Sequence, residues 1–553
     1  MVVAPTSRII LLKNPIEIDY LNELNFATRQ AQFNYFYNLP KLECSNATYV
    51  RKEGVIRFPT DPEMEGTTYD DLLEYNYCMY QNNKWSNKWF YAFIKNITYD
   101  NIGMSLIEIE TDVWQSWGFD ITFKNSFVER EHVADDTIGK HIIPEDLEIG
   151  DPVSYDKVEY LNDPNKFKPC FAVTEMPDES VSPILHKNIG GIYGGLYYFV
   201  ADSTTDADNI IKIYDMCSKP DAIVSIFMVP LGLYDILNYD TWTLTKSGVT
   251  VSANIREIDD GSYTHTDPTT HETTTKYGST WLPGVSLEKP TKIGTYTPKN
   301  GKMLTYPYVY CLATNNVGTT IPFRFEDSYY EDLNNKKYLT FFVEAVVTGG
   351  LSMKAIPIKY KNLQENYMYG ITLGKIPMCS WVSDFYLNWV TQNGVNTVIN
   401  GVANTITSGT QAAMGSPSGF ASTITSIFNT MHQFRIADIT PNQARGNVNS
   451  GDINFSYEGS GGFTLYSMGI KEQYAKIIDD YFSMFGYKVN SVKPINYTSR
   501  TYWNYVKTIG CNIVGDIPQA DLEKIKEIFN NGVTMWHDPT KFLDYSQNNT
   551  IVT

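Results

Sequence analysis

Catalysis or metal binding would begin with histidine, cysteine or converging carboxylates, and in this chain each is thinly placed. There are seven histidines in 553 residues. His132 and His141 stand among Glu129, Glu131, Asp135 and Asp136, but the spacing fits no helical or hairpin metal motif and reads as a solvated acidic loop. His265 and His271, with Asp267 and Glu272, form a weak metal set inside a Thr-rich segment. His537 follows Trp536 and reads as a packed or capping residue closing the last helix. The seven cysteines are scattered, odd in number and without a C-x-x-C pair, the pattern of free thiols in cores. Gly190-Gly191-Ile192-Tyr193-Gly194-Gly195 lacks the order and the following Lys-Ser/Thr of a phosphate loop, and a glycine hairpin is expected there. Asp202 to Asp208 lacks the central Gly and terminal Glu of a calcium loop. Asp206 or Asp208 is expected instead to cap a short helix carrying Ile210, Ile211 and Met216. No G-x-S-x-G, H-E-x-x-H or Walker string occurs. Among 62 acidic residues some pair will always suit glycan cleavage, so that signal carries little weight. The expectation is a protein with no catalytic residue, no metal and no cofactor.

A different kind of chemistry stands out between Phe385 and Phe434. Those fifty residues contain no Asp, Glu, Lys or Arg, in a chain where 19% of residues are charged. Val395, Val398, Ile399, Val402 and Ile406 recur with helical period, and Ala403, Ala412 and Ala413 extend the stripe. After Gly415-Ser416-Pro417-Ser418-Gly419 the period resumes at Phe420, Ile424, Ile427, Phe428, Met431 and Phe434. Two amphipathic helices joined by a turn are expected. The first would run about 20 residues, or about 30 Å, close to the thickness of a bilayer core. Its other face carries uncharged polar groups, among them Asn396, Asn400 and Asn404. Five glycines lower its helix propensity by up to about 1 kcal/mol each, so the hairpin could be stored in one setting and inserted in another. A flexible, small-residue linker or an ordinary buried hairpin is the plainer reading of this stretch taken alone.

The rest of the chain must position that stretch. With 40 Tyr, 27 Phe and 10 Trp it is rich in side chains that suit pleated faces. A net charge of −18 argues against a grip on nucleic acid, which needs clustered Lys and Arg. It suits a surface past which nucleic acid slides. The N-terminal residues lack the order of a signal peptide, so synthesis in a cytoplasm without general export is expected. From Arg8 to about Arg130 the text is strand-like, with a hairpin turning at Asp100–Gly103 and an aromatic, partly alternating run from Trp114 to Phe123. Tyr263 to Thr280 reads as an exposed loop. Strands return at Leu304–Leu312, Ile321–Phe325 and Lys337–Val347. Near the end, Ile470, Tyr474, Ile477, Ile478, Tyr481, Phe482 and Phe485 make one helical stripe stopped by Gly486. Leu522, Ile525, Ile528 and Phe529 make another, begun near Pro518 and stopped by Gly532. The fold class expected is mainly β with some α (α+β), multidomain.

Several strings also resemble a known family. They are Asn87–Phe93, Asp112-Val113 with Trp117, Ser126–Val133, Phe485–Asn490, Trp503–Val506, Cys511, Gly515–Ile517 and Ile528–His537. Together they resemble the tail knob, or distal tail tube, family of φ29-like podoviruses infecting Gram-positive bacteria. The matched strings cover both ends of the chain but not about 150 to 300. The resemblance implies a tube-forming protomer of a virion tail tip, assembled as a homo-hexamer with other tail or collar proteins. Genomic DNA would pass through the lumen without sequence-specific binding. It also implies a plug at 393–434 that leaves the lumen to enter the host cell membrane. Val395, Val398, Ile399, Val402, Ile406, Phe420, Ile424, Ile427, Phe428 and Met431 would then meet lipid or other loops, and Asn396, Asn400 and Asn404 water. The organisation expected is a β-rich tube-wall domain at 1–133, an inserted domain at 134–300 and a second β-rich tube domain at 301–392. The plug follows at 393–434, and 435–553 is a return leg with an α/β part. Two other readings stay open, a tail adhesin binding cell-wall polymer and a cell-wall hydrolase.

Overall fold

A computed structural model describes residues 7–552 except 381–461 and a set of shorter stretches, the longest of them 231–237. The chain forms two compact units, each built from separated segments. The first comprises Met1–Glu148, Pro298–Met303 and Gln473–Thr553, and the second Ile149–Thr297 and Leu304–Glu472.

The first unit holds a six-stranded antiparallel sheet. Its spatial order is Lys41–Ala47, Ser7–Leu12, Tyr77–Asn82, Trp89–Asn101, Met104–Thr111 and Val55–Pro59. Ile9, Ile10, Leu11 and Leu12 are all fully buried, so this strand is covered on both faces, which its unbroken apolar run requires. The expected hairpin is there, with Asn101 opposite Met104 across the turn. A five-stranded sheet draws on both ends of the sequence, in the order Asn22–Leu24, Val533–Trp536, Trp503–Ile509, Ser126–Glu131 and Tyr487–Lys493, and its first pair is parallel.

The two C-terminal helices run Glu472–Phe485 and Gln519–Asn531, each stopped by the expected glycine. Gly486 has φ 63° and Gly532 φ 96°, the left-handed region that costs a side-chain-bearing residue free energy. Trp114 to Phe123 departs from expectation, because Val113–Trp117 is a short helix. Asp112 starts it by accepting from Gln115 N at 3.0 Å, and a cap of this kind outweighs the β preference of the tryptophans. The helix Arg29–Asn38, within the stretch read as strand-like, was also not expected. It begins at Thr28, whose hydroxyl accepts from Ala31 N.

In the second unit a six-stranded sheet is ordered Asn238–Lys246, Val249–Glu257, Tyr197–Ala201, Phe167–Val173, Ile223–Pro230 and Pro377–Ser380. The helix Thr204–Met216 packs on it through Ile210, Ile211 and Tyr214, against Phe171, Phe199 and Trp242. Its N-cap is Ser203, not Asp206 or Asp208. The Ser203 hydroxyl accepts from Asp206 N at 3.1 Å, so Asp206 serves as the third residue of the first turn, where a carboxylate also meets the helix dipole. A four-stranded sheet runs Val153–Tyr160, Phe463–Gly469, Val309–Thr314 and Thr320–Phe323. A third sheet is centred on Lys337–Val346. The glycine hairpin is present as Asn188–Ile189 paired with Ile192–Tyr193. Tyr263 to Thr280 is not simply a loop, since Tyr263–Thr266 pairs with Thr273–Lys276. Threonine is β-branched, and its strand preference outweighs the lack of large aliphatics. The architecture is mainly β with some α, in more than one unit.

Candidate functional site

The thirteen residues named for membrane and water contact, Val395 to Met431 with Asn396, Asn400 and Asn404, lie in 381–461, outside the described residues. The structure shows the two strands that hold this stretch, both in the second unit. Pro377–Ser380 is an edge strand with three residues in register against Ile223–Pro230. Phe463–Gly469 is an interior strand, paired along its whole length to Val153–Tyr160 and also to Val309–Thr314. Phe463 and Leu465 are fully buried. Asn316 further ties this side, with its amide donating to Gly462 O at 3.0 Å and its carbonyl accepting from the Thr464 hydroxyl at 3.1 Å. Among the described residues, one attachment is therefore short and paired on one side, and the other is locked into a sheet on both sides.

Among the described residues, His132, His141 and His537 are spent on structure. His132 is not in a solvated loop but buried at the end of a core strand. Its Nδ1 accepts from Tyr505 N at 2.7 Å, which leaves Nε2 to donate to Ser483 O at 3.1 Å. Burial, reinforced by the charge of Arg500, pushes its pKa down to about 3, so the ring is neutral. His141 faces Asp135 O at 2.8 Å. His537 is packed between Asn25 and Asn504, and burial lowers it to about 4. His265 lies on the short strand Tyr263–Thr266, while His271, Asp267 and Glu272 fall outside the described residues. Among the described residues no group of three or more His, Cys, Asp or Glu is placed to hold a metal. The six described cysteines are free thiols. No helix among the described residues is long and apolar enough to cross a membrane.

Two buried charge clusters in the first unit had no sequence signature. In one, Glu145, only 1% exposed, pairs with Lys302 at 2.5 Å and with Arg130, whose side chains are 3% and 11% exposed. Glu145 also accepts from Lys488 N at 2.9 Å, and Arg130 donates to Gly486 O at 2.7 Å. Burial pulls Lys302 below the usual lysine range while the Glu145 carboxylate pushes back. In the other, Glu23 and Asp112 are both fully buried. Gln115 donates to Glu23 at 2.9 Å, and the Tyr77 hydroxyl donates to Asp112 at 2.7 Å. Burial first, and then Asp112, raises Glu23 well above the usual carboxylate range. Burial raises Asp112 to about 6 against the hydrogen bonds it accepts.

Comparison with known proteins accounts for most of the chain. A family model described as Bacillus phage phi29, Tail knob protein gp9, C-terminal domain, matches residues 273–550. One described as Caudoviral major tail protein N-terminus matches residues 5–124. The tail knob protein gp9 of Bacillus phage B103 is 26% identical, with 97% of each chain covered. The corresponding proteins of Bacillus phages PZA and phi29 are 27% and 26% identical, with 96% of each chain covered. Among solved structures, the bacteriophage C1 tail knob protein gp12 aligns with a TM-score of 0.60 at 14% identity. That alignment covers 99% of this chain and 100% of the other, a likeness of fold.

Proposed function

This chain belongs to the phi29 tail knob protein gp9 family, and from that membership we propose that it is a structural protein of the virion tail tip. Copies assemble as a homo-hexamer, joined to other tail or collar proteins, into a tube through which the genomic DNA leaves. The stretch 393–434 plugs the tube and on infection enters the host cell membrane. The observation that carries this reading is the charge-free Phe385–Phe434 stretch in a chain of this family. A net charge of −18 supports the conduit, because an acidic wall repels phosphates and gives the DNA little to hold. The unequal attachments support the plug. A strand bonded on both sides keeps the base of the stretch in place, while a short edge strand costs little to release. In a bilayer every backbone group must be paired within the segment or in a closed barrel, and a helical hairpin satisfies that requirement.

Dye-loaded liposomes test the membrane step. Full-length protein should release dye, and the same protein lacking 393–434 should not. No release at any pH, or equal release by the deleted form, sinks the plug. Negative-stain images of the purified protein test the tube, with a ring around an axial hole expected.

A further inference from the structure

A cleft of about 550 Å³ opens in the first unit, within the range of small-molecule sites. Its wall contains Arg500, 9% exposed. The guanidinium donates to Val133 O at 3.0 Å and to Asn549 O at 3.4 Å. Nε has no hydrogen-bond partner among the described residues, and none of their ion pairs includes Arg500. Those two bonds leave Nε of a nine-tenths-buried side chain as an unmet donor, which an incoming acceptor would satisfy. Asp136 also lines the cleft and attracts the guanidinium, but it makes no ion pair with it among the described residues; its oxygens accept from the Tyr487 hydroxyl at 2.5 Å and Gly301 N at 2.8 Å.

We propose that this cleft binds an oxyanion carried on a hydroxyl-rich molecule, such as a phosphorylated or carboxylated sugar or polyol. The anion faces Arg500 inside, and Lys299, which also lines the cleft and pairs with Asp480 at 3.0 Å with 62% of each side chain exposed, supplies a second cation from the rim by leaving that solvent-exposed pair. The remaining walls suit hydroxyls. Gln547 and Asn548 line the cleft, and the Asn548 amide, on an exposed residue, has no hydrogen bond among the described residues. Tyr545 stands edge-on to Trp503, with centroids 5.1 Å apart, and offers an apolar ring to the C–H face of a sugar. His132 adds no competing charge, because its ring is neutral and donates to Ser483 O.

The site is preformed. Asn549 accepts from Tyr502 N and Trp503 N at 3.0 and 3.2 Å and donates to Trp503 O at 2.7 Å. Thr501 N donates to Thr550 O and Val552 N to Ser499 O, so the wall formed by 545–551 is fastened down before any ligand arrives.

Isothermal titration of the full-length protein tests the site with glucose 6-phosphate, glucuronate, glycerol 1-phosphate and inorganic phosphate, using glucose and glycerol as neutral controls. Saturable binding of at least one anionic polyol, one per chain, is expected. Inorganic phosphate should bind more weakly and the neutral controls not at all. The 6-phosphate and uronate arms distinguish a phosphate from a carboxylate source. Arg500→Gln should abolish binding. Because that variant could misfold, Lys299→Ala and Asn548→Ala serve beside it. Both should leave the unliganded melting temperature unchanged and weaken binding about tenfold and a few-fold respectively. Absence of binding by every probe overturns the proposal, as does equal binding of the neutral controls or unchanged affinity in both rim variants. Loss of self-assembly in Arg500→Gln, without probe binding to the parent protein, also overturns it and assigns the cleft to an acidic side chain of a second copy.

Discussion

Glu145→Gln should destabilise the first unit far more than any surface substitution in it. The carboxylate is 1% exposed and stands between Lys302, 3% exposed, and Arg130, 11% exposed. Gln preserves the shape and one acceptor but removes the negative charge that contacts both buried cations. Removing one member of a buried pair typically costs about 3–5 kcal/mol, since the remaining charge is left without compensation. At about 2–4 °C per kcal/mol for a unit of this size, the melting temperature should fall by about 6–20 °C. Scanning calorimetry on the full-length protein measures it, and the transition that moves should be that of the first unit. Lys488→Ala is the control. Its partner Asp146 is 93% exposed, and breaking so exposed a pair costs about 0–1 kcal/mol. Adding Lys302→Met to Glu145→Gln should recover part of the loss, because one stranded cation goes and a side chain of similar length fills its place. A fall below about 2 °C in Glu145→Gln would refute the reasoning.

Three further outcomes follow from the same coordinates. Glu23 is raised by burial and by Asp112, so its stabilising contribution is complete at low pH and is lost as pH rises through its folded pKa. Glu23→Gln should therefore match the parent melting temperature near pH 4 and exceed it increasingly above about pH 4.5, whereas a gap that does not vary with pH contradicts the shift. Gly486→Ala forces a Cβ into the Glu131 carbonyl at φ 63°, and loss of soluble full-length protein or a drop of several degrees in its first transition is expected. Ser203→Ala removes the cap of the helix Thr204–Met216 and should cost about 1 kcal/mol, visible as a shift of about 1–2 °C in the second unit only.

What the sequence revealed depended on how locally each feature is encoded. The helices Glu472–Phe485 and Gln519–Asn531 carry stripe and stop signal within one window, so both were legible with their terminating glycines. The helix Val113–Trp117 was not, because all five of its residues are buried and no stripe exists to read. Its signal was the Asp112 cap, a single residue among aromatics. The Thr-rich strands 263–266 and 273–276 lack the large aliphatics that mark a strand, and only their β-branching encodes them. The buried clusters join residues far apart in the chain, Glu145 to Lys302 across 157 positions and Arg500 to Val133 across 367. No window contains such a pair. The charge-free stretch was legible as composition alone, and its position between an edge strand and a fully paired one came from the structure.

The discontinuous build of the first unit sets a timetable for synthesis. Strand Ser126–Glu131 lies between Tyr487–Lys493 and Trp503–Ile509, so it leaves the ribosome with neither neighbour yet made. At about 5–20 residues per second the wait is about 20 to 75 seconds, during which the whole second unit emerges. A message cut short anywhere before codon 503 yields a chain with that strand unpaired on at least one side. Such fragments present a sticky edge to chaperones and proteases. The first unit therefore closes only when the late segments arrive.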